Sequence, residues 1–148
     1  MENMEKMEQI EKDKRITEFN AAGKNCLPGY LGVEVISIQP DELHVKMTVQ
    51  QNLLAPNGFL HAASIVALAD SACGYGVMSN LPEGASGFTT IELKTNFLGT
   101  LLEGDMVCIA RPVHKGRTTQ VWDAEVFARE TKKKIALFRC TQMILRSE

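Results

Sequence analysis

Asn57-Gly58-Phe59-Leu60-His61-Ala62-Ala63-Ser64-Ile65-Val66-Ala67-Leu68-Ala69-Asp70-Ser71-Ala72-Cys73-Gly74-Tyr75-Gly76 sets one carboxylate in the middle of a helix that is apolar nearly all round. Ile65, Val66, Leu68, Ala69, Ala72, Cys73 and Val77 cover every face at helical spacing, and a helix with no polar face is a buried one. Asp70 is therefore expected inside. A buried charge is costly unless it is paired, hydrogen-bonded or neutralised, so Asp70 needs either a structural partner or a chemical task.

The residues ahead of the helix favour the chemical task. Asn57-Gly58 is a turn dipeptide, and the chain it feeds has its first free amides around Ala62 and Ala63, pointing out of the helix N-terminus. Such amides, with the macrodipole behind them, stabilise negative charge growing on a carbonyl oxygen during acyl transfer. Ala62 and Asp70 are eight residues apart, or about 12 Å at the helical rise, too far for both to act on one carbonyl. One chain does not make a whole site. Two such helices antiparallel across a two-fold axis would bring Asp70 of one subunit beside the Ala62 amide of the other, giving two composite sites per dimer.

His61 stands nine residues before Asp70, behind a glycine-bearing turn and ahead of a run of small and apolar residues. In this spacing the sequence resembles the hotdog-fold acyl-CoA thioesterases, and within them the subfamily similar to the phenylacetate-pathway thioesterases, where the helix carboxylate is Asp. The likeness runs from about Leu31 to the C-terminus. Two positions depart from the family pattern: its His-Gly-Gly is here His61-Ala62-Ala63, and the polar residue six positions before the histidine is Ala55. An amide donor needs no side chain, so Ala62 can stand for glycine where its torsions are ordinary, and Asn57 is the candidate to supply the missing polar group.

The resemblance implies an α+β hotdog fold, an antiparallel sheet of five to six strands wrapped round one long central helix. From the residues themselves an N-terminal helical segment over 1–24 is expected, packed on the same domain, ahead of a single hotdog thioesterase domain over 25–148. The activity the resemblance implies is hydrolysis of acyl-CoA to a carboxylic acid and free CoA, with no cofactor, by a homodimer, the pairing of two dimers into a dimer of dimers staying open. The Ala62 amide would polarise the thioester carbonyl. Asp70 would either activate water as a general base or attack directly to give a mixed anhydride, and thiolate leaves readily enough that no Ser-His-Asp triad is required.

Other positions have both a chemical and a plain reading. His61 either donates a hydrogen bond to the thioester carbonyl or caps the helix. By the resemblance, Thr90 matches a Ser or Thr that helps hold the attacking water; its plain reading is an ordinary β-branched strand residue. His114-Lys115-Gly116-Arg117-Thr118 is a tight turn with two cations at its tip. In similar proteins such a turn meets the nucleotide phosphates of CoA, which suits Lys115, Gly116 and Arg117, while Asn57 and Gly58 would border the substrate. Tyr75, Met78, Phe88 and Phe97 either line an acyl pocket or are plain core, so the acyl group stays open. A hotdog enoyl-thioester hydratase is the second enzyme reading, weakened because its downstream His in an Asn-Pro loop has no counterpart. A non-catalytic acyl-CoA-binding or regulatory hotdog protein is the third, and Asp70 argues against it.

Composition bounds the alternatives. At 148 residues and 45% hydrophobic content the chain suits one domain, and a domain of this size buries about 70% of its unfolded surface. A net charge of −2 gives no field for gathering nucleic acid or an anionic membrane. Cys26, Cys73, Cys108 and Cys140 follow no ligand or redox spacing and read as reduced core residues, and His44, His61 and His114 do not cluster with carboxylates. No apolar run approaches the roughly 20 residues of a membrane span, and the charged N-terminus is unlike a signal peptide, so a cytoplasmic location is expected.

Along the chain, Met4 to about Ala22 reads as a helix with a frayed start. Val33–Ile38 and Leu43–Val49 form a hairpin about Pro40-Asp41-Glu42, and Thr89–Phe97 is a strand with Ile91, Leu93 and Phe97 inward. Gly104–Val113, Thr118–Arg129 and Ile135–Leu145 are three more strands, with Lys132-Lys133-Lys134 as a solvated turn. Strands in runs about one apolar helix, without βαβ alternation, indicate an antiparallel sheet curled round that helix.

Overall fold

The structure, a computed structural model, describes all 148 residues. Six strands, β1 (Glu34–Gln39), β2 (Glu42–Thr48), β3 (Ala85–Phe97), β4 (Asp105–Lys115), β5 (Thr119–Ala128) and β6 (Lys134–Arg146), form one antiparallel sheet in the order β1-β2-β4-β5-β6-β3. The period of two is clearest in β5, where Gln120, Trp122, Ala124, Val126 and Ala128 are buried and the residues between them are half-exposed. Across the buried face lies α3 (Ala62–Ser79), with Ser64, Ile65, Leu68, Ala69, Ala72, Cys73, Gly76 and Val77 turned into the core. The fully buried Trp122 ring fixes the closest approach: a Cβ on Gly76 would stand 2.5 Å from it, so only glycine lets the helix lie this near the sheet. Trp122 Nε1 donates to Gln120 Oε1 at 2.8 Å, and Gln120 Nε2 donates to the Asn80 carbonyl at 2.8 Å, which ties the end of α3 to β5.

Two expectations are corrected here. The helix is not buried all round: Val66, Ala67, Asp70, Ser71 and Gly74 are half-buried and Met78 is exposed, because the sheet covers only one side of it. Leu93 and Phe97 pair in register with Cys140 and Ala136 and so face the helix side, yet they remain 42% and 47% exposed because α3 leaves the β3 margin uncovered. Ile91 sits at a bulge between Thr90 and Glu92 and is 53% exposed.

The two sheet edges differ. Along β1 lies α1 (Glu2–Gly23), helical from Glu2 rather than frayed and running through Gly23. Its Asn20 Nδ2 donates to the Val35 carbonyl at 3.1 Å and its Oδ1 accepts the Val35 N–H at 2.8 Å, satisfying edge backbone that would otherwise be open. Ile16 and Phe19 pack on the core, and Phe19 meets Tyr75 at 5.0 Å between ring centroids. Tyr75 thus holds α1. The edge of β3 has no such cover.

The short helix α2 (Leu27–Leu31) and a 3-10 turn at Gln51–Leu53 were not anticipated; Pro28 at its start and Gly32 at φ 80 after its end mark α2. Cys73, Cys108 and Cys140 are buried free thiols, but Cys26 is exposed, since it precedes α2 in a surface connection. His44 does meet a carboxylate: its Nε2 lies 2.5 Å from Glu42 Oε1, and Arg111 Nε takes the other oxygen at 2.9 Å, because the alternation of β2 and β4 sets all three on one face. By length and composition alone α3 could cross a membrane, contrary to the sequence reading; its eight core-facing residues make it the central helix of this sheet.

Candidate active site

The start of α3 is built by a turn. Gly58 N–H donates to the Ala55 carbonyl at 2.9 Å, Ala55 N–H donates to the Phe59 carbonyl at 2.7 Å, and Gly58 takes the left-handed φ of 86 that suits glycine. Asn57 Oδ1 accepts the Phe59 N–H at 3.2 Å, so Asn57 serves the turn. The buried Leu53 carbonyl then anchors the helix entrance, accepting from His61 N–H at 3.0 Å and from Ser64 Oγ at 2.8 Å.

His61 is the N-cap. Its Nδ1 accepts the Ala63 N–H at 2.9 Å, which removes Ala63 from the free amides the sequence had offered. The Ala62 N–H has no acceptor within the chain and points from the positive end of α3. Because Nδ1 accepts, the proton of a neutral His61 ring is on Nε2, whose donor remains free.

Asp70, at mid-helix, is half-buried, and its Oδ1 is enclosed with no hydrogen-bond partner. Burial raises its carboxyl above the ordinary carboxylate value. Cys73 and Cys140 lie close enough to feel its charge, and burial pushes the Cys73 thiol up. One turn further, Gly74 faces Phe88, whose ring would be 3.3 Å from a Cβ placed there. Thr90 Oγ1 donates to Gln142 Oε1 at 2.8 Å, and Gln142 Nε2 reaches Cys140 Sγ at 3.3 Å. Asp70, Cys140, Gln142 and Thr90 therefore border one region between α3 and the β3–β6 pair. The fully buried Gln120 and Gln142 were missed from sequence; their signal was an amide at the inward positions of two alternating strands.

The cationic turn lies apart. Lys115 is held by Asp41 at 2.6 Å and lies 3.4 Å from Asn80 Oδ1, in a groove of about 460 Å³ shared with Lys12 and Arg15. Gly116 N–H donates to the Thr119 carbonyl at 2.8 Å, and a Cβ on Gly116 would stand 2.9 Å from that oxygen, so the turn requires glycine. Arg117 is exposed, its carbonyl accepting from Arg146 at 3.0 Å while its guanidinium meets no carboxylate.

With the fold and these residues in view, the comparisons with known proteins agree on one class. The model of the thioesterase superfamily matches residues 57–135. The 1,4-dihydroxy-2-naphthoyl-CoA hydrolase of Escherichia coli K12 is 31% identical over 112 residues, 74% of this chain and 79% of that protein. The enzyme of the same name from Listeria monocytogenes is 29% identical over 111 residues, 75% of this chain and 89% of that protein. The solved structure of a mutant of thioesterase PA1618 from Pseudomonas aeruginosa superposes with a TM-score of 0.83 at 28% identity, covering 88% of this chain and 93% of that one. The chain belongs to the thioesterase superfamily, with the hotdog fold. It is a thioester hydrolase.

Proposed function

We propose that the protein hydrolyses acyl-CoA thioesters at sites shared between two copies of the chain, each taking the Ala62 amide from one and Asp70 from the other. The carrying observation is that one α3 holds both an unpartnered N-terminal amide and, about 12 Å along at the helical rise, a half-buried carboxyl oxygen with no partner. The uncovered β3 edge with Leu93 and Phe97, and the half-exposed side of α3, are the surfaces a second copy would cover. In the water route, Asp70 takes one proton from water, the water oxygen attacks the carbonyl carbon, and the Ala62 N–H stabilises the oxyanion. The carbon–sulfur bond then breaks and the proton on Asp70 passes to the CoA thiolate. In the covalent route Asp70 attacks the carbonyl carbon and the carbon–sulfur bond breaks, releasing CoA thiolate and a mixed anhydride; water then opens the anhydride to the acid and the free Asp70 carboxylate, and the proton it releases goes to the thiolate.

His61 caps the helix through Nδ1 and keeps its Nε2 donor free. Lys115, Gly116 and Arg117 form the candidate CoA-phosphate turn, with Arg117 as its free cation. Asn57 and Gly58 shape the loop at the helix entrance. Two relatives are named for a fused-ring aromatic acyl-CoA, so aromatic acyl groups come first in the test, with aliphatic and enoyl thioesters beside them. Thiol release from an acyl-CoA by the wild type, abolished by Asp70→Asn, supports the reading. Loss of enoyl absorbance without thiol points to a hydratase, and binding without either reaction to a non-catalytic protein; both contradict it.

A further inference from the structure

Gln142 is a fully buried amide on the inner face of β6, and both ends of its side chain are engaged, Oε1 by Thr90 Oγ1 at 2.8 Å and Nε2 by Cys140 Sγ at 3.3 Å. Because Thr90 donates its hydroxyl proton to Gln142, the oxygen keeps its remaining lone-pair capacity for accepting. A hydroxyl left to rotate would instead be free to donate to a carboxylate.

The direction of that oxygen follows from register. Phe88 and Thr90 pair with Ile144 and Gln142, so both face α3. Phe88 lies against Gly74, and Asp70 is one turn before Gly74. Four helical residues span about 6 Å and two strand residues about 7 Å, so the step from Gly74 to Asp70 matches the step from Phe88 to Thr90. The charge of Asp70 acts on Cys140, the residue that Gln142 touches, which sets the two steps in the same direction.

We propose that Gln142 is a positioning residue of the hydrolytic site: by taking the Thr90 proton it leaves the Thr90 oxygen to accept one hydrogen of the water whose other hydrogen Asp70 removes. The inference rests on Asp70 acting as base. A water held at both hydrogens has its oxygen lone pair directed away from them, toward the thioester carbon.

Turnover in a double-mutant cycle tests this. Gln142→Met keeps length and removes the acceptor, and Thr90→Val removes the hydroxyl. Each is expected to lower kcat about tenfold, on the scale of one hydrogen bond, with KM little changed. The double variant is expected to be no slower than Thr90→Val alone, because Gln142 acts only through Thr90. Losses that multiply to about a hundredfold would overturn the proposal, as would a Thr90→Val enzyme with wild-type kcat. Gln142→Glu separates the two bonds, keeping an acceptor oxygen for Thr90 while losing the amide donor to Cys140. It should lose at most about threefold, and a loss as large as that of Gln142→Met would assign the effect to Cys140 instead. Asp70→Asn, measured alongside, reports on the base itself, so failure of that reading is distinguished from failure of the role of Gln142.

Discussion

At the scale of single residues, the Asp70 carboxyl is held half-buried with one oxygen that has no hydrogen-bond partner. Burial raises the Asp70 carboxyl, so the folded state binds its proton more tightly than the unfolded chain does. Stability linked to this group therefore falls as pH rises from the unfolded value through the raised folded one, and the destabilisation persists at neutral pH. Asp70→Asn removes the charge, and should leave the thermal midpoint at pH 7 equal to or above that of wild type while kcat falls by about 10²–10⁴-fold. Melting and turnover on one preparation check this, and a destabilised variant with normal turnover would make Asp70 structural. Since the base must be ionised, kcat/KM should rise with pH through a midpoint above 3.8, the ordinary value for this carboxyl. Under the proposed function Arg117 would serve recognition of CoA. With no carboxylate of its own, Arg117→Ala should raise KM for acyl-CoA and hardly alter kcat, and an acyl-pantetheine lacking the nucleotide should be insensitive. Equal losses on both substrates would make the turn purely structural.

At the scale of elements, the contrast between the two sheet edges carries the prediction. Asn20 closes β1 with two hydrogen bonds, whereas β3, 13 residues long, presents open backbone beside half-exposed Leu93 and Phe97. Leu93→Lys should shift the protein from dimer toward monomer in sedimentation and lower specific activity as the protein is diluted; an unchanged sedimentation profile would contradict pairing through this surface. The same elements show what the sequence reveals and what it hides. The strands β2 and β5 and the apolar helix α3 were legible because local periodicity reports burial directly. That periodicity does not say what does the burying. Val66 and Leu93 sit where periodicity points inward, yet Val66 is half-buried and Leu93 is 42% exposed because one chain leaves that surface open. The bond from Ala63 to His61 Nδ1 was offered as one of two readings, but Gln142 and Gln120 gave no periodic signal beyond being polar at inward positions.

At the scale of the whole molecule, the helix that forms the core also holds the two proposed catalytic groups apart. Its N-terminal amide and its mid-helix carboxylate stand about 12 Å apart along one continuous helix, too far for both to reach a single carbonyl. Mixed dimers test whether two chains supply each site. Ala62→Pro removes the donor amide at the first helical position, where proline fits, and His61 already has the extended ψ of 134 that a following proline favours. Asp70→Asn removes the carboxylate. Either homodimer alone should be inactive. Co-expressed and isolated as a heterodimer, the pair should hold one site with both defects and one with neither, and turn over thioester at about half the wild-type rate per dimer. A heterodimer confirmed by mass, folded, and as inactive as its parents would contradict the shared site.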